Sequence, residues 1–133
     1  MKLSLLTPKG SQTIDDIKEV ILPTTTGEIA VLPNHENLVT ELAPGTIEVK
    51  VNGKSEQFAS FDGFAKITGG DVKVFSSGVE HADSLDEAKI QDSIKKAQEL
   101  KDTQKGEVEF AAAAAMLERE LARLKTLRRK RRG

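Results

Sequence analysis

Up to about residue 83, apolar residues alternate with polar ones or gather in short runs divided by Gly, Pro, Asn and Asp, a pattern that predicts strands joined by turns. The clearest case is Thr46-Ile47-Glu48-Val49-Lys50-Val51, where Ile47, Val49 and Val51 share one face and Glu48 and Lys50 the other. One face should go inward and the other should meet water. Asn52-Gly53 suits the positive φ angles of a two-residue hairpin turn, after which 55–61 can return antiparallel. Gly69-Gly70-Asp71 signals a second hairpin between 64–67 and 72–75. With further strand candidates at 2–6, 17–22 and 28–32, the count is roughly seven to ten short strands, enough for a small sandwich or flattened barrel.

The period then changes. Ser84-Leu85-Asp86-Glu87 reads as a capping box that opens a helix, with Leu85, Ala88, Ile94, Ala97 and Lys101 on one stripe and Ile90 near its edge. A polar turn at 102–106 ends it. From Glu107 strong helix formers dominate: 111–115 are all Ala, and Leu117, Leu121 and Leu124 continue at helical spacing. Two helices joined by so short a link should fold back antiparallel, and an Ala-lined seam buries little area, so the hairpin should be weakly held and able to detach. The chain divides into a β domain, 1–83, and a helical hairpin, 84–133.

Charge sharpens that division. The net charge of -1 hides 7 basic against 12 acidic groups in 1–83, a net of -5, and 8 basic against 4 acidic in 107–133, a net of +4. The two ends should therefore meet different partners. The run Arg128-Arg129-Lys130-Arg131-Arg132 is the sharpest charged feature. It suits a helix C-terminus, whose dipole favours cations, and it also suits an acidic protein surface. Nucleic acid is the competing partner for such a cluster, but no aromatic motif interleaves with these cations.

Catalytic chemistry finds little support. There are no cysteines, and only two histidines, in His35-Glu36 and Glu80-His81; these make a small hydrolase the third reading, but a zinc site normally takes three protein ligands. No nucleophile elbow occurs, and no Gly-Lys-Ser/Thr phosphate loop. The longest apolar run, 110–117, falls well short of the roughly 18–20 residues of a membrane span. The N-terminus lacks a secretory signal pattern and reads as an uncleaved intracellular start.

The stretch Val20-Ile21-Leu22-Pro23-Thr24-Thr25-Thr26-Gly27-Glu28-Ile29-Ala30-Val31-Leu32-Pro33-Asn34-His35 resembles the signature of the epsilon subunits of F-type ATP synthases. Leu42-Ala43-Pro44-Gly45-Thr46-Ile47, Asp62-Gly63-Phe64-Ala65-Lys66-Ile67 and Asp71-Val72-Lys73-Val74-Phe75 extend the likeness over essentially the whole chain, although the family usually has Gly-Gly-Phe where Asp62-Gly63-Phe64 stands. The resemblance implies a mainly β plus α fold, a ten-stranded sandwich followed by two antiparallel helices. It implies a non-catalytic rotor subunit that attaches gamma to the membrane c-ring and inhibits ATP hydrolysis through its C-terminal helices.

By the same resemblance, Glu28 faces the polar loops of the c-ring, His35 lies near gamma, and the cations 128–132 dock on the catalytic alpha and beta subunits. The location implied is peripheral, on the cytoplasmic face of a bacterial plasma membrane, with the plastid thylakoid as the alternative. The family's ATP-sensing motif, Ile/Leu-Asp-x-x-Arg-Ala, maps onto Leu85-Asp86-Glu87-Ala88-Lys89-Ile90, with Glu80 and Lys96 completing a candidate nucleotide site. Here Lys89 stands for an Arg whose planar fork holds phosphate, and bulky Ile90 stands for Ala. ATP is expected to be at most a weak regulatory ligand, and no other cofactor is implied.

Overall fold

The structure, a computed structural model, describes residues 1–132. Ten strands form two five-stranded sheets, and two α-helices follow. The strands are β1 (Leu3–Thr7), β2 (Gly10–Ile14), β3 (Glu19–Thr24), β4 (Gly27–Val31), β5 (Leu38–Glu41), β6 (Gly45–Val51), β7 (Lys54–Ser60), β8 (Phe64–Thr68), β9 (Asp71–Phe75) and β10 (Val79–His81). The first sheet runs β2-β1-β9-β8-β5, with β1 and β9 parallel; the second runs β10-β7-β6-β3-β4 and is antiparallel throughout.

The alternation read from the sequence builds the core. Leu3, Leu5, Val20, Leu22, Ile47, Val49, Phe58, Ile67, Val72 and Val74 point between the sheets and are buried. Asn52 (φ 40°) and Gly53 (φ 77°) both take the left-handed region, which is why an Asn-Gly pair can turn β6 into β7 in two residues. Gly63 is required for a different reason. At φ 105° an added Cβ would lie 1.8 Å from the Phe75 carbonyl oxygen, so no side chain fits there.

Its neighbour Asp62 holds the loop after β9, accepting from the Ser77 amide (2.8 Å) and the Ser77 and Ser76 hydroxyls (2.5 and 3.2 Å). The Ser77 hydroxyl, then the Ser77 amide, hold this carboxyl below its usual value of 3.8. A depressed carboxylate stabilises the fold above its unfolded pKa and loses that contribution as pH falls through the folded one. Asp62→Asn should therefore lower the melting temperature at neutral pH, and the gap from the native chain should close below about pH 3.8. Thermal unfolding across that range checks it.

The helices are α1 (Glu87–Thr103) and α2 (Glu107–Arg132). The predicted capping box does not form: 82–84 make a short 3-10 turn, the Ser84 hydroxyl donates to the His81 carbonyl, and Asp86 is the N-cap, accepting from the Lys89 amide at 3.2 Å. The helix starts three residues later than Ser84, and its buried stripe shifts with it. Ile90 and Ala97 are buried, whereas Ala88 is exposed.

Layering also differs from expectation. The C-terminal half of α2 lies on the outer face of β6 and β7, and α1 packs on α2. The face of β6 expected to meet water is therefore covered at Thr46 and Glu48, the latter 8% exposed. Only Lys50 stays outside, paired with Glu19 at 3.1 Å. No helix among the described residues is long and apolar enough to cross a membrane.

Candidate functional site: the docked cationic arm

The Ala run alone does not hold α2. Of 111–115 only Ala113 is buried, and Val108, Phe110 and Met116 are exposed, so the N-terminal half of the helix is lightly held. Leu121, expected in the apolar stripe, is 40% exposed because the helix has turned its face toward the sandwich. Beyond it Ala122, Leu124, Thr126 and Leu127 are buried. Ala122 packs with Ala59, Phe61 and Leu85, while Leu124 and Leu127 pack with Ile90, Leu85 and Ile94.

Thr126 is fully buried yet satisfied. Its hydroxyl donates to the Ala122 carbonyl at 2.9 Å and meets the Thr46 hydroxyl at 2.8 Å. These two threonines are a polar pin through an apolar contact, and they fix the register of helix on sheet.

Around the pin, acidic groups receive the cations of α2. Arg123 forks onto Glu80 (Nε at 2.9 Å, Nη2 at 2.7 Å), also pairs with Glu120, and lies 4.9 Å from the Phe61 ring centroid. Its bond to Glu80 pushes its pKa up, so it stays charged at any ordinary pH. Arg129 bonds Glu28 at 2.5 Å and approaches Glu48 at 3.5 Å, where the Gln57 amide also donates to Glu48 at 3.0 Å. Lys130 pairs with Asp83 and lowers the pKa of that carboxyl; Arg131 pairs with Glu87 at 2.8 Å.

The basic run is thus not uniform. Arg129, Lys130 and Arg131 turn to the chain's own carboxylates, whereas Arg128 and Arg132 line a groove beside the β3–β4 hairpin. Arg123, outside that run, makes the best-formed pair, and no local sequence signal marks it, since its partner Glu80 stands 43 positions away.

The remaining candidates separate. Glu28 sits on edge strand β4 under Arg129. His35, across the molecule in the loop after β4, directs Nδ1 to the Glu36 carbonyl at 2.6 Å, and that loop is tied to the β8–β9 turn by the Gly69 amide donating to Asn37 at 3.1 Å. The proposed nucleotide ligands are otherwise engaged: Glu80 holds Arg123, Asp86 caps α1, and Lys96 pairs with Asp92 at 3.0 Å, while Lys89 is exposed. His81 accepts the Asp83 amide on Nδ1 at 3.0 Å and meets Phe58 edge-on, which makes it a cap at the domain joint.

A ten-stranded sandwich onto which a two-helix arm is clamped by Glu28, Glu48, Glu80, Asp83 and Glu87 defines a β-sandwich and helical-hairpin protein. Residues 1–82 match the family model of the beta-sandwich domain of the ATP synthase delta/epsilon chain. An ATP synthase epsilon chain of Caldanaerobacter subterraneus is 35% identical over 124 residues, 92% of this chain and 90% of that one. The chloroplastic epsilon chain of Coffea arabica is 33% identical over 94 residues, 71% of each chain. Among solved structures, the mitochondrial ATP synthase of Euglena gracilis (OSCP, F1 and c-ring) contains a chain that superposes with a TM-score of 0.79 at 25% identity, covering 87% of this chain and 74% of that one. The chain belongs to the epsilon-subunit family of F-type ATP synthases, and it is a non-catalytic subunit.

Proposed function

We propose that the chain works in the central stalk, joining gamma to the c-ring through the sandwich and restraining ATP hydrolysis through the arm. The observation that carries the second part is the division of α2. One half stands lightly held with Val108, Phe110 and Met116 exposed, and the other is clamped by five carboxylates that a competing acidic surface can replace. When the clamp opens, the same cations are available to acidic segments of the catalytic alpha and beta subunits. Fully extended, α2 reaches about 37 Å at 1.5 Å per residue.

Support for the gamma contact comes from the outer face of the first sheet, away from the arm. Phe64 and Phe75 stack there with centroids 4.9 Å apart, Val39 is 65% exposed, and the loop carrying Leu32 and His35 closes the end of the sheet. Such an unpartnered apolar strip suits a subunit interface. Glu28, at the other sheet, is the candidate for the polar loops of the c-ring. The bacterial relatives favour a peripheral position on the cytoplasmic face of the plasma membrane.

The test is capture by gamma. A chain ending at Asp83 should unfold cooperatively and be retained by gamma, and Val39→Asp with Phe64→Asp should abolish retention while leaving the melting transition intact. Retention unaffected by the double change would move the interface elsewhere.

A further inference from the structure

We propose that the groove between the last two turns of α2 and the β3–β4 hairpin is a binding site for a small inorganic polyphosphate, and that its occupancy holds the arm against the sandwich. The groove has a volume of about 470 Å³. That lies within the ~300–1,000 Å³ of small-molecule sites. One wall is Pro23, Thr24, Gly27 and the 43–46 segment; the other is Lys125, Arg128, Arg129 and Arg132.

The four cations fall at i, i+3, i+4 and i+7, one stripe of a helix. Three of them, Lys125, Arg128 and Arg132, are exposed and make no ion pair among the described residues, whereas Arg129 on the same stripe and Arg123, Lys130 and Arg131 on the adjoining faces all do. Among the described residues Glu28 is the one carboxylate lining the groove, and Arg129 already neutralises it. The site therefore has, among the described residues, three cations without a paired carboxylate, two of them guanidinium forks, the donor geometry that grips phosphate oxygens.

The other wall narrows the ligand. It is built of Pro, Gly, Ala and Thr and has no aromatic ring on which a nucleobase could stack. Gly45 approaches Pro23 so closely that a Cβ would lie 2.8 Å from the Pro23 Cβ, so the floor is a tight surface, and the hydroxyls beside it are engaged, Thr24 donating to the Gly27 carbonyl and Thr46 bonded to Thr126. A di- or triphosphate satisfies the cations and leaves nothing to recognise. Since one wall is the arm, a ligand bound there is lost when the arm leaves, and by linkage binding must favour the docked state.

The probe is inorganic triphosphate, titrated calorimetrically into the full chain at low salt. Binding is expected, weakening with added salt, and Lys125→Gln with Arg128→Gln and Arg132→Gln should weaken it by about a hundredfold, the loss of several charge-assisted contacts. Those residues carry none of the arm's own ion pairs, so the docked fold should persist in the variant by circular dichroism and melting. Lys89→Gln with Lys96→Gln should bind as the native chain does. Amide exchange over 124–132 should slow when triphosphate is added to the native chain and not to the triple variant. Absence of binding, equal binding by the triple variant, or loss in the Lys89/Lys96 variant instead would overturn the proposal. Sedimentation with vesicles of anionic phospholipid provides the second arm. Vesicle binding that depends on the three cations, without binding of free triphosphate, would also overturn it by assigning the groove to a membrane surface.

Discussion

An assembled ATP synthase whose epsilon subunit lacks residues 107–133 is expected to hydrolyse ATP about tenfold faster than the intact enzyme, if docking of the arm is worth about 1.4 kcal/mol. Changing Arg128, Arg129, Lys130, Arg131 and Arg132 to Gln should have the same sign, and inhibition by the intact chain should be relieved by salt. The clamp adds a variant with the opposite sign. Glu80, Asp83 and Glu87 hold cations of the arm on the sandwich, so Glu80→Gln with Asp83→Asn and Glu87→Gln should free the arm while leaving its charges intact. That enzyme should be more strongly inhibited than the native one. Steady-state ATPase rates of the four enzymes decide: activation in the first two and deepened inhibition in the third mark a releasable inhibitory arm, and equal rates in all four would leave the cations as a solvated helix end.

The second large effect concerns Ile90. In the epsilon-family motif its place is taken by Ala, and Ile90→Ala together with Lys89→Arg would bring this chain to the family pattern to strengthen the weak ATP binding expected of it. Ile90 is, however, buried against Leu124 and Leu127, and the substitution leaves a void in the seam that joins α1 to α2. Ile90→Ala should cost about 2–4 kcal/mol of hairpin stability. Protection of amides in 87–103 should fall by the matching factor while the sandwich strands keep theirs. Lys89→Arg alone lies on an exposed face and should leave protection unchanged, so calorimetry with ATP on that single variant reads the motif without disturbing the packing.

How much of this was legible follows from what each pattern encodes. The β6–β7 hairpin was plain because Asn52-Gly53 has few other uses and the strands on either side alternate. Strand β2, Gly-Ser-Gln-Thr-Ile, is not legible because an edge strand with nearly every side chain in solvent carries no apolar alternation. β5 and β10 are not legible either, both being short, the first mostly exposed and the second half-buried. The helices are legible, and Ala97, Leu117 and Leu124 of the expected stripes are buried, whereas Ala88 and Leu121 are exposed. A helix sandwiched between a sheet and a second helix buries residues on two sides, so a stripe of Leu117, Leu121 and Leu124 does not account for buried Ala122, Thr126 and Leu127.

Glu48 shows the same limit: its outward place on β6 was read correctly, but only the tertiary structure puts α2 above it. Of the site, the residue types were visible and the partners were not. Glu28 and Arg129 stand 101 positions apart, and nothing local in either segment announces the pair.

The most direct test locks the arm where the structure places it. The chain has no cysteine, and the Thr46 and Thr126 hydroxyls meet at 2.8 Å, so Thr46→Cys with Thr126→Cys introduces one candidate bridge between sandwich and arm at a point where the side chains already touch. With the crosslink verified by mass on the reconstituted enzyme, a docked arm that must leave in order to inhibit predicts fast ATP hydrolysis when the bridge is oxidised and a return of inhibition on reduction. Equal ATPase rates in the oxidised and reduced enzyme, with the native enzyme inhibited, would contradict it.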